Sequence, residues 1–249
     1  MTRILLDNEL YELNAEVLHL GSLVDDALAQ ALEALKTEDQ EQAEKAVIAD
    51  QDIDELHVSI ERQTFDLLVT QQPLGGRDLR SLTSLPPIAV DLERIGDEAT
   101  DIAQMVLRIA PLLPVPPTAG SSNGNGGSTL ESTRIHELLD LGLQARSMLQ
   151  RTMQAFADRD AEAAKNIWLE NAATHTRCYA ARCDISADLE LSHAVPALLR
   201  DPHALQHIMC LLAIVHCLER VGDHCTNVCE RIVYMVLNET EIQPVMQEV

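Results

Sequence analysis

Leu92-Glu93-Arg94-Ile95-Gly96-Asp97 returns 126 residues later as Leu218-Glu219-Arg220-Val221-Gly222-Asp223. The agreement continues downstream, where Thr100, Asp101 and Ile102 meet Thr226, Asn227 and Val228. A phrase of this length, repeated within 249 residues, predicts two copies of one structural unit. It also gives each copy the same ladder of side chains, Glu-x-x-x-Asp-x-x-x-Asp/Asn, with about one rung per helical turn.

Working outward from the phrase, the apolar spacing around it is helical. Leu85, Ile88, Leu92, Ile95, Ala99, Ile102, Val106 and Ile109 recur every three or four residues. Upstream, Leu10, Leu13, Val17, Leu20, Val24, Leu28, Ala31 and Leu35 form one stripe. A polar break at Thr37 to Gln40 separates it from a second at Ala46, Ala49, Ile53, Leu56, Ile60 and Leu67. The second ends near Pro73-Leu74-Gly75-Gly76. The later half follows the same plan: Ile135 to Phe156, a polar turn at Ala157 to Asp160, Ala161 to Ser192, and Pro202 to Asn238. Pro86-Pro87 is expected to kink the third helix or delay its start.

Pro111 to Ser132 is rich in Pro, Gly, Ser and Asn and reads as a linker. The expected organisation is therefore a first three-helix repeat over residues 1–110, a linker over 111–132, a second repeat over 133–240, and a tail over 241–249. The fold class is all-α: two tandem three-helix bundles, six long helices in all, related by an internal pseudo-two-fold. Aromatic residues at 2% starve any sheet and agree with this.

Forty acidic against 18 basic residues leave a net charge of −22. Such a surface repels nucleic acid and anionic lipid and favours cations or basic protein surfaces. No basic-then-apolar leader and no apolar run near the ~18 residues of a membrane span are visible. A reducing cytoplasm is then the expected compartment, with the six cysteines free. Cys225 and Cys229 share a helix face at i, i+4, but Cys225 falls on the apolar stripe and reads as core.

The ladder is where function concentrates. At ~100° per residue, Glu93, Asp97 and Asp101 lie about 130–210° from the centre of their stripe. Glu219, Asp223 and Asn227 take the same angles, and Asp50 and Asp54 add a flank on the second helix. Two helices thus present carboxylates across one groove. A merely solvated face is disfavoured because acids at i, i+4 repel each other. No Lys or Arg stands four residues away in compensation, and the phase recurs in both copies. Clustered carboxylate oxygens suit divalent or trivalent metals, bridging between ions. Aligning Lys45 with Lys165 sets Glu170 opposite Asp50 and Thr174 opposite Asp54, so the second site loses acids and a second cluster is in doubt. Net charge agrees: −15 over residues 1–110 against −6 over 133–249. His175, His216 and His224 read as solvated rather than ligating.

Two three-helix repeats, each with L-E-R-[IV]-G-D, resemble the PhoU family of phosphate-transport regulatory proteins over about Leu5 to Glu239. Asp50-x-x-Ile53-Asp54 and Arg77-Asp78-Leu79-Arg80 add to the resemblance. It implies a cytoplasmic, non-enzymatic negative regulator of phosphate uptake and of the phosphate-starvation response. The implied partners are the ATPase of an ATP-binding-cassette phosphate importer, a phosphate-sensing histidine kinase, and a second copy of the chain in a homodimer. Neither nucleic acid nor membrane insertion is implied. The family's Glu/Asp-x-x-x-Asp motifs imply a multinuclear iron or zinc cluster, with manganese or magnesium as carboxylate-compatible alternatives. The candidate metal ligands are Asp50, Asp54, Glu93, Asp97 and Asp101, then Glu170, Glu219, Asp223 and Asn227. Arg94 and Arg220, present in both copies, are candidates for partner contact or sensing; their plainer role is pairing with nearby acids.

Two rivals frame the test. A helical adaptor without metal shares the fold. A ferritin-like di-iron enzyme needs two Glu-x-x-His pairs aimed into one four-helix core. Glu16-x-x-His19 and Glu190-x-x-His193 exist, but His19 points to water and His193 sits at a helix end.

Overall fold

The structure, a computed structural model, describes residues 3–71, 73–109, 127–191 and 202–239. Six helices follow one another: α1 (Arg3–Thr37), α2 (Gln40–Thr70), α3 (Gly76–Ile109), α4 (Gly127–Asp158), α5 (Ala161–Leu191) and α6 (Pro202–Leu237). No strand occurs among the described residues. Residues 110–126 and 240–249, most of the expected linker and the tail, lie outside them. The helical backbone of α4 begins at Gly127, inside the stretch read as linker.

Each half closes on itself, α1 with α2 and α3, and α4 with α5 and α6. The halves meet along α3 and α6, the most extensive helix pair, and again along α1 and α4. The stripes read from the sequence form the interior: Leu13, Val17, Leu20, Leu28, Ile53, Ile60, Leu92, Ile95, Leu218 and Ile232 are all buried. They belong to one core continuous through both halves. Burial of each such Leu or Ile stabilises by about 1.5–3 kcal/mol.

Local details repeat with the phrase. Glu38 and Arg159 both take positive φ, 56° and 54°, to close the α1–α2 and α4–α5 turns. The next residues, Asp39 and Asp160, cap the following helices. Asp39 Oδ1 accepts from the backbone N–H of Glu41 at 2.9 Å, and Asp160 Oδ1 from that of Glu162 at 3.0 Å. Gly21 of α1 faces Met153 of α4, and Gly142 of α4 faces Leu32 of α1. A Cβ on Gly21 would fall 2.6 Å from Met153 Cε, so the close approach depends on the glycine. These pairs exchange under a pseudo-two-fold relating the halves.

Two expectations need correction. Of the two outcomes expected of Pro86 and Pro87, a kink or a delayed start, the delay does not occur: α3 begins at Gly76 and contains both. Their missing N–H groups forfeit bonds to the preceding turn, a penalty of about 3 kcal/mol for an interior proline. Leu82 and Leu85 in that turn are fully buried, an offset of similar size. The second correction concerns α6. Over Leu205–Leu237 it is apolar and long enough, by composition, to cross a membrane. Its inner face instead packs on α3, α4 and α5, with Val221, Cys225, Val228 and Cys229 fully buried.

Candidate functional site

In the first repeat, α3 turns Glu93 and Asp97 toward α2, which supplies Asp50 and Asp54. Gly96 allows the approach: a Cβ there would lie 3.1 Å from Ile53 Cδ1 and 3.8 Å from Asp50 Oδ1. Burial pushes the Asp50 carboxyl above its ordinary range; the Thr100 hydroxyl opposes this, and the charges of Asp54, Asp97 and Asp101 add to it. Glu93 is raised by burial first and then by Asp97, against Arg94 and His57. The five acids therefore share one electrostatic neighbourhood, as the ladder required. Arg94 offsets part of it, lying 3.2 Å from Asp97 Oδ2 and 3.6 Å from Glu93 Oε2.

The five do not converge on a point. Among the described residues, the group of three potential ligands whose atoms all fall within 4.8 Å of one another is Glu98, Asp101 and Cys217. It sits on the seam between the halves, where Arg220 also lies 3.0 Å from Glu98. Its pseudo-two-fold counterpart is Asp91 of α3, which meets His224 Nδ1 at 2.9 Å and accepts from Asn227 Nδ2 at 2.9 Å. Asp91 and Cys217 exchange under the repeat, as do Glu98 with His224 and Asp101 with Asn227. These pairings run α3 and α6 antiparallel, and they draw Asn227 to the seam rather than to Glu219.

The second repeat is built from different chemistry. His175 of α5 places Nδ1 at 2.9 Å from Glu219 Oε1 and Nε2 at 2.8 Å from Asp223 Oδ1. Arg182 grips both oxygens of Glu219, with Nη2 at 3.1 Å from Oε1. Asn171 Nδ2 donates to Asp223 Oδ1 at 3.0 Å. Its own Oδ1 is buried without a hydrogen-bond partner against the α6 backbone, where a Cβ on Gly222 would meet it at 2.6 Å. The Arg182 bond holds Glu219 below its ordinary range, and the Glu219 bond raises His175. Glu170 is not here: it pairs with Arg151 at 2.7 Å.

The two repeats follow one chain plan. The profile of the PhoU domain matches residues 17–106 and again 138–232. The chain belongs to the PhoU family. It is similar to the phosphate-specific transport system accessory protein PhoU homologue of Clostridium acetobutylicum, 27% identical with 95% of this chain and 96% of that one covered. The homologue so named from Streptococcus pneumoniae serotype 4 is 31% identical, at 94% and 95% coverage. Among solved structures, the phosphate transport system regulatory protein PhoU from Streptococcus pneumoniae aligns with TM-score 0.74 at 28% identity, covering 95% of this chain and 99% of that one. PhoU from Pseudomonas aeruginosa aligns with TM-score 0.75 at 25% identity, covering 94% and 99%.

Within this PhoU fold the register of α5 against α2 is one residue away from the Lys45–Lys165 alignment. The caps Asp39 and Asp160, and the contacts of Gly96 and Gly222, set Asn171 opposite Asp50 and His175 opposite Asp54. Glu170 accordingly falls outside the groove, and His175, read as solvated, lies within it. Arg182, opposite Glu61, carries no signal in the sequence, because its acid partner Glu219 lies on another helix. Of the other histidines, His216 stays 3.9 Å from Glu219 Oε2, and His224 turns to the seam. Arg94 pairs within its own turn, whereas Arg220 reaches across to α3.

Five of the six cysteines are buried and Cys183 is exposed. Cys225 and Cys229 are fully buried, and burial pushes the Cys229 thiol up to about 12. Such thiols stay protonated and are poor ligands or nucleophiles. His19 is exposed, and Glu16 instead accepts from Gln63 Nε2 at 2.6 Å. The Glu190 side chain and His193 lie outside what is described.

The fit of a metal differs between the repeats. In the first, Asp50, Asp54 and Asp101 make no ion pair among the described residues, and the donors spread along the groove rather than around one centre. That suits more than one hard cation bridged by carboxylates. In the second, Arg182 holds both oxygens of Glu219, and Asp223 Oδ1 meets the His175 ring and the Asn171 amide.

Proposed function

We propose that this chain is an accessory regulator of a phosphate-specific transport system. In this reading it works in the cytoplasm with the importer's ATPase and restrains the phosphate-sensing kinase while phosphate is plentiful. Its role is non-catalytic, and a second copy of the chain completes a homodimer. What supports it is the match to both PhoU domains and to accessory proteins along nearly their whole length. The single observation that carries a metal-dependent version is the groove of Asp50, Asp54, Glu93, Asp97 and Asp101. There burial and mutual repulsion raise Asp50 and Glu93, offset only in part by Thr100 at Asp50 and by Arg94 and His57 at Glu93. These five would hold the multinuclear iron or zinc cluster, or manganese or magnesium ions. Its chemistry there is charge neutralisation that ties α2 to α3.

Deletion of the gene tests the regulatory role: phosphate-starvation genes should stay on in phosphate-rich medium, and normal repression would remove it. Metal analysis of protein purified under reducing conditions tests the cluster. A second reading, an adaptor without metal, is favoured by one fact: no three acids of this groove bring their oxygens within 4.8 Å of one another. Metal-free protein with full regulatory activity would select it.

A further inference from the structure

The repeat relation makes a substitution pattern visible on α5. At the positions where α2 carries Asp50, Asp54 and Glu61, α5 carries Asn171, His175 and Arg182. Three acids have become an amide, an imidazole and a guanidinium, all along the groove facing α6. We propose that the second repeat is a cation-substituted site. The His175 ring and the Arg182 guanidinium take the place between Glu219 and Asp223 that metal ions would occupy, so this repeat binds no multivalent metal. The idea draws on the metal reading of the first repeat only for contrast.

The geometry carries it. His175 spans two carboxylates, one at each ring nitrogen, at 2.9 and 2.8 Å. Both ring nitrogens are therefore taken up by carboxylate oxygens, and neither faces open space where an ion could sit. A metal ligand has the opposite requirement: one nitrogen deprotonated and its lone pair free. Glu219, with its side chain only 14% exposed, has both oxygens held by Arg182 and one shared with His175. The Arg182 guanidinium and the His175 ring fill the space between the two carboxylates that an ion would need. In the first repeat Arg94 pairs with Glu93 and Asp97 and His57 bears on Glu93, while Asp50, Asp54 and Asp101 make no ion pair among the described residues. An entering ion would also meet a fixed guanidinium at close range, in partly buried surroundings where such repulsion is strong. Asn171 completes the closure, with its amide nitrogen on Asp223 and its oxygen against Gly222.

The test is gain of a site. In the full chain carrying E93Q and D97N, which disables the first groove, Mn2+ binding is followed by calorimetry. That protein should show no Mn2+ site; adding N171D, H175D and R182E, which restores the α2 residues on α5, should create one, at least about tenfold tighter than any residual binding by the parent. Mn2+ binding by the E93Q/D97N protein that disappears with E219Q/D223N would overturn the proposal. Should the five-fold variant not fold, the wild-type chain decides. The 15N signals of both His175 ring nitrogens should be unmoved by Zn2+, and loss of a ring proton to Zn2+ would overturn the proposal. The two readings fail separately. Unmoved His175 signals in a wild-type protein that binds no metal remove the first-repeat cluster alone, whereas metal displacing the His175 proton removes this inference alone.

Discussion

Arg220 on α6 lies 3.0 Å from Glu98 on α3, a carboxylate whose side chain is only 3% exposed. The contact crosses the seam between the repeats, and burial pushes the Glu98 carboxyl above its ordinary range despite it. Removing the guanidinium leaves a buried acid without its cation. Arg220→Met should therefore destabilise by about 1–3 kcal/mol, lowering the melting temperature by about 2–4 °C per kcal/mol for a chain of this size. Glu98→Gln on top of it should recover part of the loss, because the charge that needed compensation is gone. Thermal unfolding of the single and double variants measures both. A shift within about 0.5 kcal/mol for Arg220→Met would mean that the contact adds nothing.

The His175 bonds give stability a pH dependence of definite sign. Its folded pKa is raised, first by the bond to Glu219, so the folded state holds the proton more tightly than the unfolded chain. That contribution is fully present below the unfolded value of about 6.5 and is lost as pH rises through the higher folded value. Urea unfolding of wild type and His175→Gln between about pH 5 and 9 should give a stability difference that is largest at the acid end and shrinks on the alkaline side. A difference independent of pH would mean that the ring packs rather than pairs.

Most of the fold was legible in the sequence because its determinants are local. The repeated phrase located α3 and α6, the apolar spacing gave their buried faces, and the polar turns at Thr37 to Gln40 and Ala157 to Asp160 located two helix breaks. Of the groove in the first repeat, the sequence showed which face of α3 carries Glu93 and Asp97 and which flank of α2 carries Asp50 and Asp54; that the two faces meet follows from packing at Gly96. The register of α5 was not legible. Lys45 and Lys165 have side chains alike in type, but Lys45 is largely solvated and Lys165 pairs with Glu239 near the end of α6. Neither position constrains packing. The caps Asp39 and Asp160 do constrain it, since each must meet the N–H groups of its own first turn. A one-residue slip moves a helical side chain by about 100°, enough to bring in Glu170 and leave out His175. The seam pairs Asp91–His224 and Glu98–Arg220 depend on how two distant helices cross, which no local pattern encodes.

In the first groove, charge removal and metal should act in the same direction. Asp50 and Glu93 are raised by burial and by neighbouring acids, so without metal their ionised forms oppose folding at neutral pH. Their contribution is present below the ordinary carboxylate range and lost as pH rises through the elevated values. Glu93→Gln with Asp97→Asn should leave the metal-free protein as stable as wild type or slightly more so, by about 0.5 kcal/mol. Metal at about a hundredfold over its dissociation constant should add about 2.7 kcal/mol to wild type and little to the double variant. Melting curves with and without Mn2+ check this. Equal stabilisation of both proteins would place the ion elsewhere.

The glycine of each phrase sets how closely the flanking helix can approach, and the two differ in what they meet. Alanine in place of a helical glycine ordinarily stabilises by about 1 kcal/mol. At Gly222 the new Cβ would lie 2.6 Å from Asn171 Oδ1, in a buried position whose amide nitrogen is fixed on Asp223. The amide cannot turn away without giving up that bond. Gly222→Ala should therefore destabilise, by about 1–3 kcal/mol, as overpacking does. Gly96→Ala meets Ile53 methyl carbons at 3.1 and 3.2 Å, which can yield by a small rotation, so its effect should be smaller. Asn171→Ala combined with Gly222→Ala removes the obstructing oxygen and should recover much of the Gly222→Ala loss, although Asp223 then keeps only His175. Chemical denaturation of the four proteins measures the coupling. Additive effects at Asn171 and Gly222 would show that the amide does not fill the space against α6.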